Sequence, residues 1–353
     1  MAFINGKFQK YPKETFFIAD IAANHDGSLE RAKKLIELAA DAGANAAKFQ
    51  NFRANTIVSS RGFSELGTKI GHQAKWENDV VDVYLKAELP IEWTDELRKT
   101  CKAAGLEYFT APYDLDFIDF FENKMNLFKI GSGDITWRES LVKISKTGKP
   151  VLLATGASNF DDVAEAVKIF EENGSELVIM QCNTNYTGDV ENFSFLNLSA
   201  ISEYKEKFPN AGLGLSDHTP GHIAVLGAVT LGARFIEKHF TDDKSRQGPD
   251  HAFSLDPSDW RRMVDDTRIL ESALGDGKKK LEANEVQAQI VQRRALRFSS
   301  ELRRDTIISR GDLIALRPIP ADGISPMDIE KIIGKKLIRD VAADELVRYS
   351  NFA

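Results

Sequence analysis

Two cysteines in 353 residues, Cys101 and Cys182, are too few and too far apart for a disulfide framework. Both lie in otherwise apolar or helical patterns, which suits a reducing compartment. No apolar run reaches the ~18–20 residues that span a bilayer. The opening Met-Ala-Phe-Ile-Asn-Gly-Lys lacks the charged-then-apolar order of a signal peptide. The expectation is a cytoplasmic protein with no membrane partner. A basic excess is missing too. The net charge of −7 disfavours a nucleic-acid partner and leaves room only for a local basic pocket that holds a small anion. No low-complexity tract occurs, and no Gly-x-Gly-x-x-Gly fingerprint opens the first helix, as a dinucleotide-binding open sheet would require. What is present is ordinary globular composition, 42% hydrophobic and 28% charged, on a chain long enough to bury its own core.

Short β-prone apolar runs alternate with helical patterns. The strand candidates are Phe16–Ala22, Ala44–Gln50, Glu107–Thr110, Leu127–Ile130, Val151–Ala154, Leu177–Gln181, Gly212–Leu215 and Arg234–Lys238. The helices between and after them are Ser28–Ala42, Glu92–Ala104, Leu115–Glu122, Trp137–Lys146, Phe160–Glu172, Asn197–Lys207, His222–Leu231 and Pro257–Leu274. In the first helix Ser28 suits the N-cap, and Leu29, Ala32, Leu35, Ile36, Ala39 and Ala40 mark one face before Gly43 ends it. Eight such units within about 275 residues point to an α/β fold of the (β/α)8 TIM-barrel class. The long connection from Asn51 to Pro90 reads as a functional loop, a lid. At Gly275-Asp-Gly-Lys-Lys-Lys280 the alternation stops. Past Arg293 short strands follow, at Ala295–Ser299, Thr306–Ile308, Ile314–Arg317 and Glu345–Arg348. The expected division is a barrel over residues 1–280 and a small, mostly β module over 285–353.

Barrel enzymes carry their chemistry at the carboxyl ends of the strands, and the unusual polar clusters of this sequence fall there. Six histidines occur in all, and His218 and His239 end adjacent strands. Two imidazoles so placed, with carboxylates nearby, can share one divalent metal and leave positions open to substrate or water. Each taken alone is better explained by a local hydrogen bond at a strand end. Lys48, Lys129 and Lys238 interrupt apolar strands, where an ammonium is costly unless paired. Converging on one mouth, they would bind a carboxylate plus a phosphate; otherwise each pairs with a barrel carboxylate. Ser132 between two glycines and Thr155-Gly156 have the form of backbone-rich anion cradles, or of ordinary strand-to-helix turns. A Schiff-base lysine at Lys48 is the covalent alternative, but nothing singles out one lysine as the nucleophile.

These residues carry a resemblance. Asn24-His25-x-Gly27, Lys48-Phe-Gln50, Lys129-Ile-Gly-Ser132-Gly, Gly214-Leu-Ser216-Asp217-His218-Thr219, Glu237-Lys-His239-Phe-Thr241 and Gly248-Pro-Asp250-His251, in that order, resemble the sialic acid synthase family. That family comprises N-acetylneuraminate synthases and their legionaminic, pseudaminic and spore-coat relatives. The terminal module, with Arg317-Pro318, Gly323-Ile-Ser-Pro326 and Gly334-Lys335-Lys336, resembles its antifreeze-like (SAF) domain. The resemblance implies a transferase that condenses phosphoenolpyruvate with an open-chain N-acyl-hexosamine, similar to N-acetylmannosamine, and water. The products would be a nine-carbon 2-keto sugar acid and phosphate. By the same resemblance His218 and His239 would bind Mn2+, or else Mg2+ or Co2+, as a Lewis acid. Catalytic roles would fall to Asp20, Lys48, His218 and His239. Phosphoenolpyruvate would be held by Lys48, Gln50, Thr110, Lys129, Ser132, Thr155 and Ser216. The sugar would be held by Asp134, Tyr186, Asp250 and Arg317, the last reaching into a partner subunit of a domain-swapped homodimer.

The sequence departs from the family pattern near the expected sugar site. Asp20 and Asp134 stand where Glu is usual, Cys182-Asn-Thr-Asn-Tyr186-Thr187 replaces Cys-x-x-x-Tyr-Pro, and the loop after Arg317 is altered. Reaction class therefore transfers more firmly than acceptor identity. A 6-phosphorylated or differently substituted sugar would fit the same chemistry, with Arg53, Arg61, Lys69 and Lys75 of the long connection as its basic cluster. A non-catalytic carbohydrate-binding relative and a metal-assisted hydrolase are the readings from other classes.

Overall fold

The computed structural model describes residues 3–4, 7–68, 73–74, 76 and 78–353. The chain divides into two compact units, Met1–Gly275 and Asp276–Ala353. In the first, eight strands form one parallel sheet: β1 (Phe16–Asp20), β2 (Ala46–Asn51), β3 (Glu107–Pro112), β4 (Phe128–Ile130), β5 (Val151–Ala154), β6 (Leu177–Cys182), β7 (Gly212–Asp217) and β8 (Phe235–His239). Their order is β3-β2-β1-β8-β7-β6-β5-β4. Strand β8 pairs with β1 so that His239 lies opposite Asp20, while β3 and β4 lie side by side and close the cylinder. This is the expected TIM barrel.

The strands are apolar along nearly their whole length because both faces are covered, one by the barrel interior and one by helices. Phe17, Phe49, Phe109, Phe128 and Phe235 are fully buried, each contributing about 1.5–3 kcal/mol by leaving water. The helices start and stop where local chemistry sets them. The Ser28 hydroxyl accepts from the Arg31 N–H to cap Leu29–Asp41, whose buried face is Ala32, Leu35, Ile36 and Ala39. Gly43 follows at φ +93°, a backbone region open to glycine. Asp256 caps Pro257–Leu274 through the N–H groups of Ser258 and Asp259. The long connection after β2 carries short helices at Ala54–Ile57, Ser60–Glu65 and Val80–Ala87, then a 3-10 turn and the helix Thr94–Ala103. No described helix is long and apolar enough to cross a membrane.

The second unit has its own core of Leu296, Phe298, Ile308, Ile324, Ile332, Leu337, Val341 and Val347. Two strands, Ala295–Phe298 and Leu313–Leu316, pair antiparallel. The expected strands Thr306–Ile308 and Glu345–Arg348 do not form. Only single bridges occur there, Ile307 to Lys336 and Arg297 to Leu346. Asp305 and Asp344, both in the left-handed region, turn the chain just before each segment and leave too little of it for a ladder. The connecting segment holds a short helix, Val286–Gln292, with no buried residue, where no regular element was expected.

Candidate functional site

At the carboxyl end of the barrel lies a cavity of about 400 Å³. Its floor is polar and buried. The Lys48 ammonium sits 2.7 Å from Asp20 and 3.4 Å from Glu237, and the Lys129 ammonium 3.2 Å from the same Glu237 oxygen. The Ser216 hydroxyl donates to Glu237 at 3.0 Å, and the Gln50 carboxamide donates to Asp20 at 3.1 Å. Two ammoniums and two carboxylates thus form one interlocked set. Burial by itself would raise the Glu237 pKa, but Lys129 and Lys48 hold it down at about 2. Burial works against charged Lys48 as well, and Asp20 and Glu237 outweigh it to raise its pKa. For Lys129 burial prevails and the pKa falls, Glu237 offsetting only part.

Beside this floor the imidazoles of His218 and His239 face each other with ring centres 5.4 Å apart. Tyr186 lies 4.2 Å from His218 and Phe253 lies 4.8 Å from His239, so two aromatic rings pack the pair in place. His218 Nδ1 is 3.0 Å from the Asn183 carbonyl oxygen; a proton on Nδ1 donates there and leaves Nε2 a lone pair. His239 Nδ1 is buried with no hydrogen-bond partner. Burial pushes the His239 pKa down to about 3, so the ring is neutral. An imidazole bound to a divalent ion holds its ring centre about 3.3 Å from the metal, so two rings on one ion lie within about 6.6 Å of each other. The observed separation fits. Among the described residues no group of three or more His, Cys, Asp or Glu side chains is disposed to hold an ion.

Asp134, Tyr186 and Asp250 line the upper wall with the aromatic side chains Phe52, Trp76, Tyr84 and Tyr113. The last four form a continuous run, with ring centres 6.3 Å apart from Trp76 to Tyr84, 5.4 Å from Tyr84 to Phe52 and 6.3 Å from Phe52 to Tyr113. Burial pushes the Asp134 carboxyl up to about 6. At Gly131 a Cβ would meet the Tyr113 hydroxyl at 2.5 Å, so a larger residue there would displace that ring.

The NeuB family model matches residues 35–279, and the SAF domain model matches 293–353. The chain belongs to the NeuB family. An N,N'-diacetyllegionaminic acid synthase of Campylobacter jejuni is 36% identical over 343 residues, 95% of this chain and 99% of that one. A pseudaminic acid synthase of Campylobacter jejuni is 33% identical, with 96% and 97% covered. The crystal structure of an N-acetylneuraminic acid synthetase of Leptospira borgpetersenii, in complex with citrate, superposes with a TM-score of 0.69 at 29% identity, covering 78% of this chain and 90% of that one.

In this NeuB-family barrel the cavity wall includes Asp20, Lys48, Gln50, Lys129, Ser132, Asp134, Tyr186, Ser216, His218, His239 and Asp250, all singled out from sequence. Three expectations need correction. Lys238 does not reach the cavity. Side chains alternate along β8, so Glu237 and His239 point inward and Lys238 outward. There its ammonium meets Asp217 at 2.6 Å and the Thr219 carbonyl at 2.7 Å. The Thr110 hydroxyl donates to Asn51 at 2.7 Å and is wholly buried, away from the cavity. The Thr155 hydroxyl donates to the Met180 carbonyl at 3.1 Å and accepts from Tyr204 at 3.2 Å. Both hydroxyls are engaged by neighbouring protein groups, and neither residue is part of the cavity wall.

The Ser132 hydroxyl lines the cavity and accepts from the Gly156 N–H at 3.0 Å, which joins the two glycine turns. Two members of the basic cluster expected on the long connection are held by carboxylates. Arg53 pairs with Asp114 at 2.6 Å and Arg61 with Glu65 at 2.6 Å, while Lys69 and Lys75 lie outside the described residues. Arg317 belongs to the second unit, where it is exposed and precedes a cis proline. Glu237 was missed as a site residue, although it shares the inward phase of His239 two positions on. The aromatic wall was missed as well, because its residues come from separate segments: Phe52 just past β2, Trp76 and Tyr84 on the long connection, and Tyr113 just past β3.

Proposed function

We propose that the chain is a phosphoenolpyruvate-dependent transferase that forms a carbon–carbon bond to the open-chain aldehyde of an N-acyl-hexosamine. The products are a nine-carbon 2-keto sugar acid and phosphate. The observation that carries the reading is the paired floor: Lys48 and Lys129, balanced by Asp20 and Glu237, directly beside two neutral-capable imidazoles from adjacent strands. A pocket for carbohydrate alone has no use for two buried ammoniums, and a two-metal hydrolase needs more carboxylate ligands than this one offers. Full-length similarity to legionaminic and pseudaminic acid synthases supports the same class.

Charge balance argues for a divalent ion. Asp20 and Glu237 already engage both floor ammoniums, so charge brought by phosphoenolpyruvate calls for a further cation. His218 and His239 would hold Mn2+ or a similar ion, which, when bound, polarises the aldehyde oxygen as a Lewis acid. The chain's own groups do the rest. Lys48 and Lys129, with the hydroxyls of Ser132 and Ser216, grip the carboxylate and phosphate of phosphoenolpyruvate by charge-assisted hydrogen bonds. Its C3 then faces the sugar carbonyl carbon. Asp20, held by Lys48 and Gln50, aligns the water whose oxygen adds at C2, and phosphate leaves as the C2–O bond breaks. Asp134, Tyr186 and Asp250 meet sugar hydroxyls and hold the aldehyde end down. Arg317 of a second copy completes the sugar site, so the active form is a homodimer.

Phosphate release from phosphoenolpyruvate, followed across a panel of N-acyl-hexosamines with Mn2+ present, tests the proposal. Mass spectrometry should find an acid containing every carbon of both substrates. Sugar-independent release, or none with any hexosamine, would overturn it.

A further inference from the structure

The turn after β1 and the loop after β8 are tied together, with one carboxylate at the centre of the tie. The turn, Asn24-His25-Asp26-Gly27, sets Asp26 at φ +50° and Gly27 at φ +70°. Glycine takes that left-handed region freely, whereas an aspartate takes it at a cost that bonds made elsewhere must meet. The Asp26 carboxylate makes them. One oxygen lies 2.9 Å from His251 Nε2, and the other lies 2.9 Å from Arg246 Nε and 3.0 Å from Arg31 Nε. Burial alone would raise the Asp26 pKa, but His251 and Arg246 outweigh it and hold the carboxyl below its ordinary value.

The loop on the other side has little else to hold it. Residues 241–250 form no helix or strand, and 242–248 are exposed. The loop ends in Asp250, which lines the cavity with Oδ2 3.8 Å from His239 Nδ1. The turn seats it from behind. The Ala23 N–H donates to Asp250 at 3.1 Å, and the Asn24 carboxamide donates to the Phe240 carbonyl and the Ser254 hydroxyl, each at 2.9 Å. His251, the next residue, is wholly buried between Asp26 and the Thr241 hydroxyl, which lies 2.7 Å from Nδ1. Carboxylate, imidazole and hydroxyl have the order of a nucleophilic triad. Thr241 is wholly buried too, so no substrate reaches its hydroxyl and the line serves as a strut.

We infer that Asp26 is a positioning residue: by clasping His251 and Arg246 it sets Asp250 at the cavity wall, while lying outside that wall itself. The inference rests on the reading of Asp250 as a residue that meets the sugar.

Asp26→Asn tests the clasp, because asparagine keeps the shape and the tolerance for left-handed backbone and removes only the charge. The first readout is trypsin cleavage of the folded protein after Lys244, whose ammonium is held by Asp256 and Asp259 rather than by Asp26. Mass spectrometry separates that cut from one after Arg246. Cleavage after Lys244 should quicken about fivefold or more, since local opening of the loop governs it. The second readout is phosphate release with Mn2+, phosphoenolpyruvate and N-acetylmannosamine or, where that sugar is inert, the fastest hexosamine of the panel. The sugar KM should rise about tenfold or more, the scale on which a small displacement acts, and the KM for phosphoenolpyruvate should stay within about twofold of the parent's. In an Asp250→Asn background, Asp26→Asn should add less than about twofold, because its effect passes through Asp250. Arg246→Gln, at an exposed position, cuts a single tie and should move both readouts in the same direction by a smaller factor. Cleavage after Lys244 at the parent rate in both variants, or full additivity of Asp26→Asn with Asp250→Asn, would overturn the inference. If no hexosamine releases phosphate from the parent, the synthase reading fails, and the cleavage rate alone then upholds or ends the clasp.

Discussion

Glu237→Gln isolates the role of one buried carboxylate. Glu237 is 3% exposed and touches both floor ammoniums, at 3.4 Å from Lys48 and 3.2 Å from Lys129. At an effective dielectric of about 20, each contact is worth about 5 kcal/mol of gross Coulomb energy. Removing one partner of a buried pair costs about 3–5 kcal/mol net, because the remaining charge stays desolvated. Glutamine keeps the size and an acceptor for Ser216, so the loss reports charge rather than packing. Urea unfolding at pH 7 should show a deficit of about 3–5 kcal/mol at an unchanged slope. The pH dependence fixes the cause. Burial already lowers the Lys129 pKa, and losing Glu237 lowers it further. The folded variant then binds fewer protons than the unfolded chain between that depressed value and the ordinary lysine value. Stability of the variant must therefore rise with pH across that interval, and the deficit must shrink toward pH 10. Millimolar phosphoenolpyruvate should raise its midpoint more than the parent's, by supplying the missing anion. A deficit below about 0.5 kcal/mol at pH 7, or one that does not change with pH, would refute this account of the floor.

His218→Ala and His239→Ala should each abolish phosphate release while leaving the far-UV spectrum unchanged, and parent turnover that survives exhaustive chelation would exclude the Lewis-acid role. Asp134 has a raised folded pKa of about 6, so burying its charge costs stability above that pH and the cost is relieved as pH falls toward 4. Asp134→Asn should thus stabilise the protein at pH 8, by at most about 3 kcal/mol and less in practice because the carboxylate is partly solvated, and should raise the sugar KM. In the parent that KM should climb as pH drops through 6. Deleting residues 285–353 should raise the sugar KM by tenfold or more and leave the KM for phosphoenolpyruvate nearly unchanged, if Arg317 completes the sugar site from a second copy.

The barrel was legible because parallel strands buried on both faces are short apolar runs, and because a cap such as Ser28 states where a helix begins. The floor was legible because a lysine or histidine inside such a run is conspicuous. Which face that residue takes was harder to read. Lys238 interrupts β8 as Lys48 interrupts β2, yet only the alternation with Glu237 and His239 tells that it points outward. Thr110 and Thr155 were hard to place for a related reason: a hydroxyl at a strand end satisfies a neighbouring backbone or side chain as readily as a ligand. The aromatic wall draws on separate segments of the chain, and three-dimensional closure alone brings Trp76, Tyr84 and Tyr113 together. In the terminal unit, two of four expected strands shrink to single bridges because turns at Asp305 and Asp344 interrupt them.

The outward lysine has a consequence of its own. Its ammonium ties down Asp217 and Thr219, the residues immediately before and after His218 in the chain. A group once read as a ligand for substrate thus works as a rivet behind the plate, fixing one imidazole's backbone from the far side of the sheet. Altering Lys238 would leave the electrostatics of the chamber's lining largely as they are, yet loosen the bearing on which the histidine turns. Sequence drift that retunes the acceptor can proceed among the loops, while this hidden fastening keeps the reactive end in register.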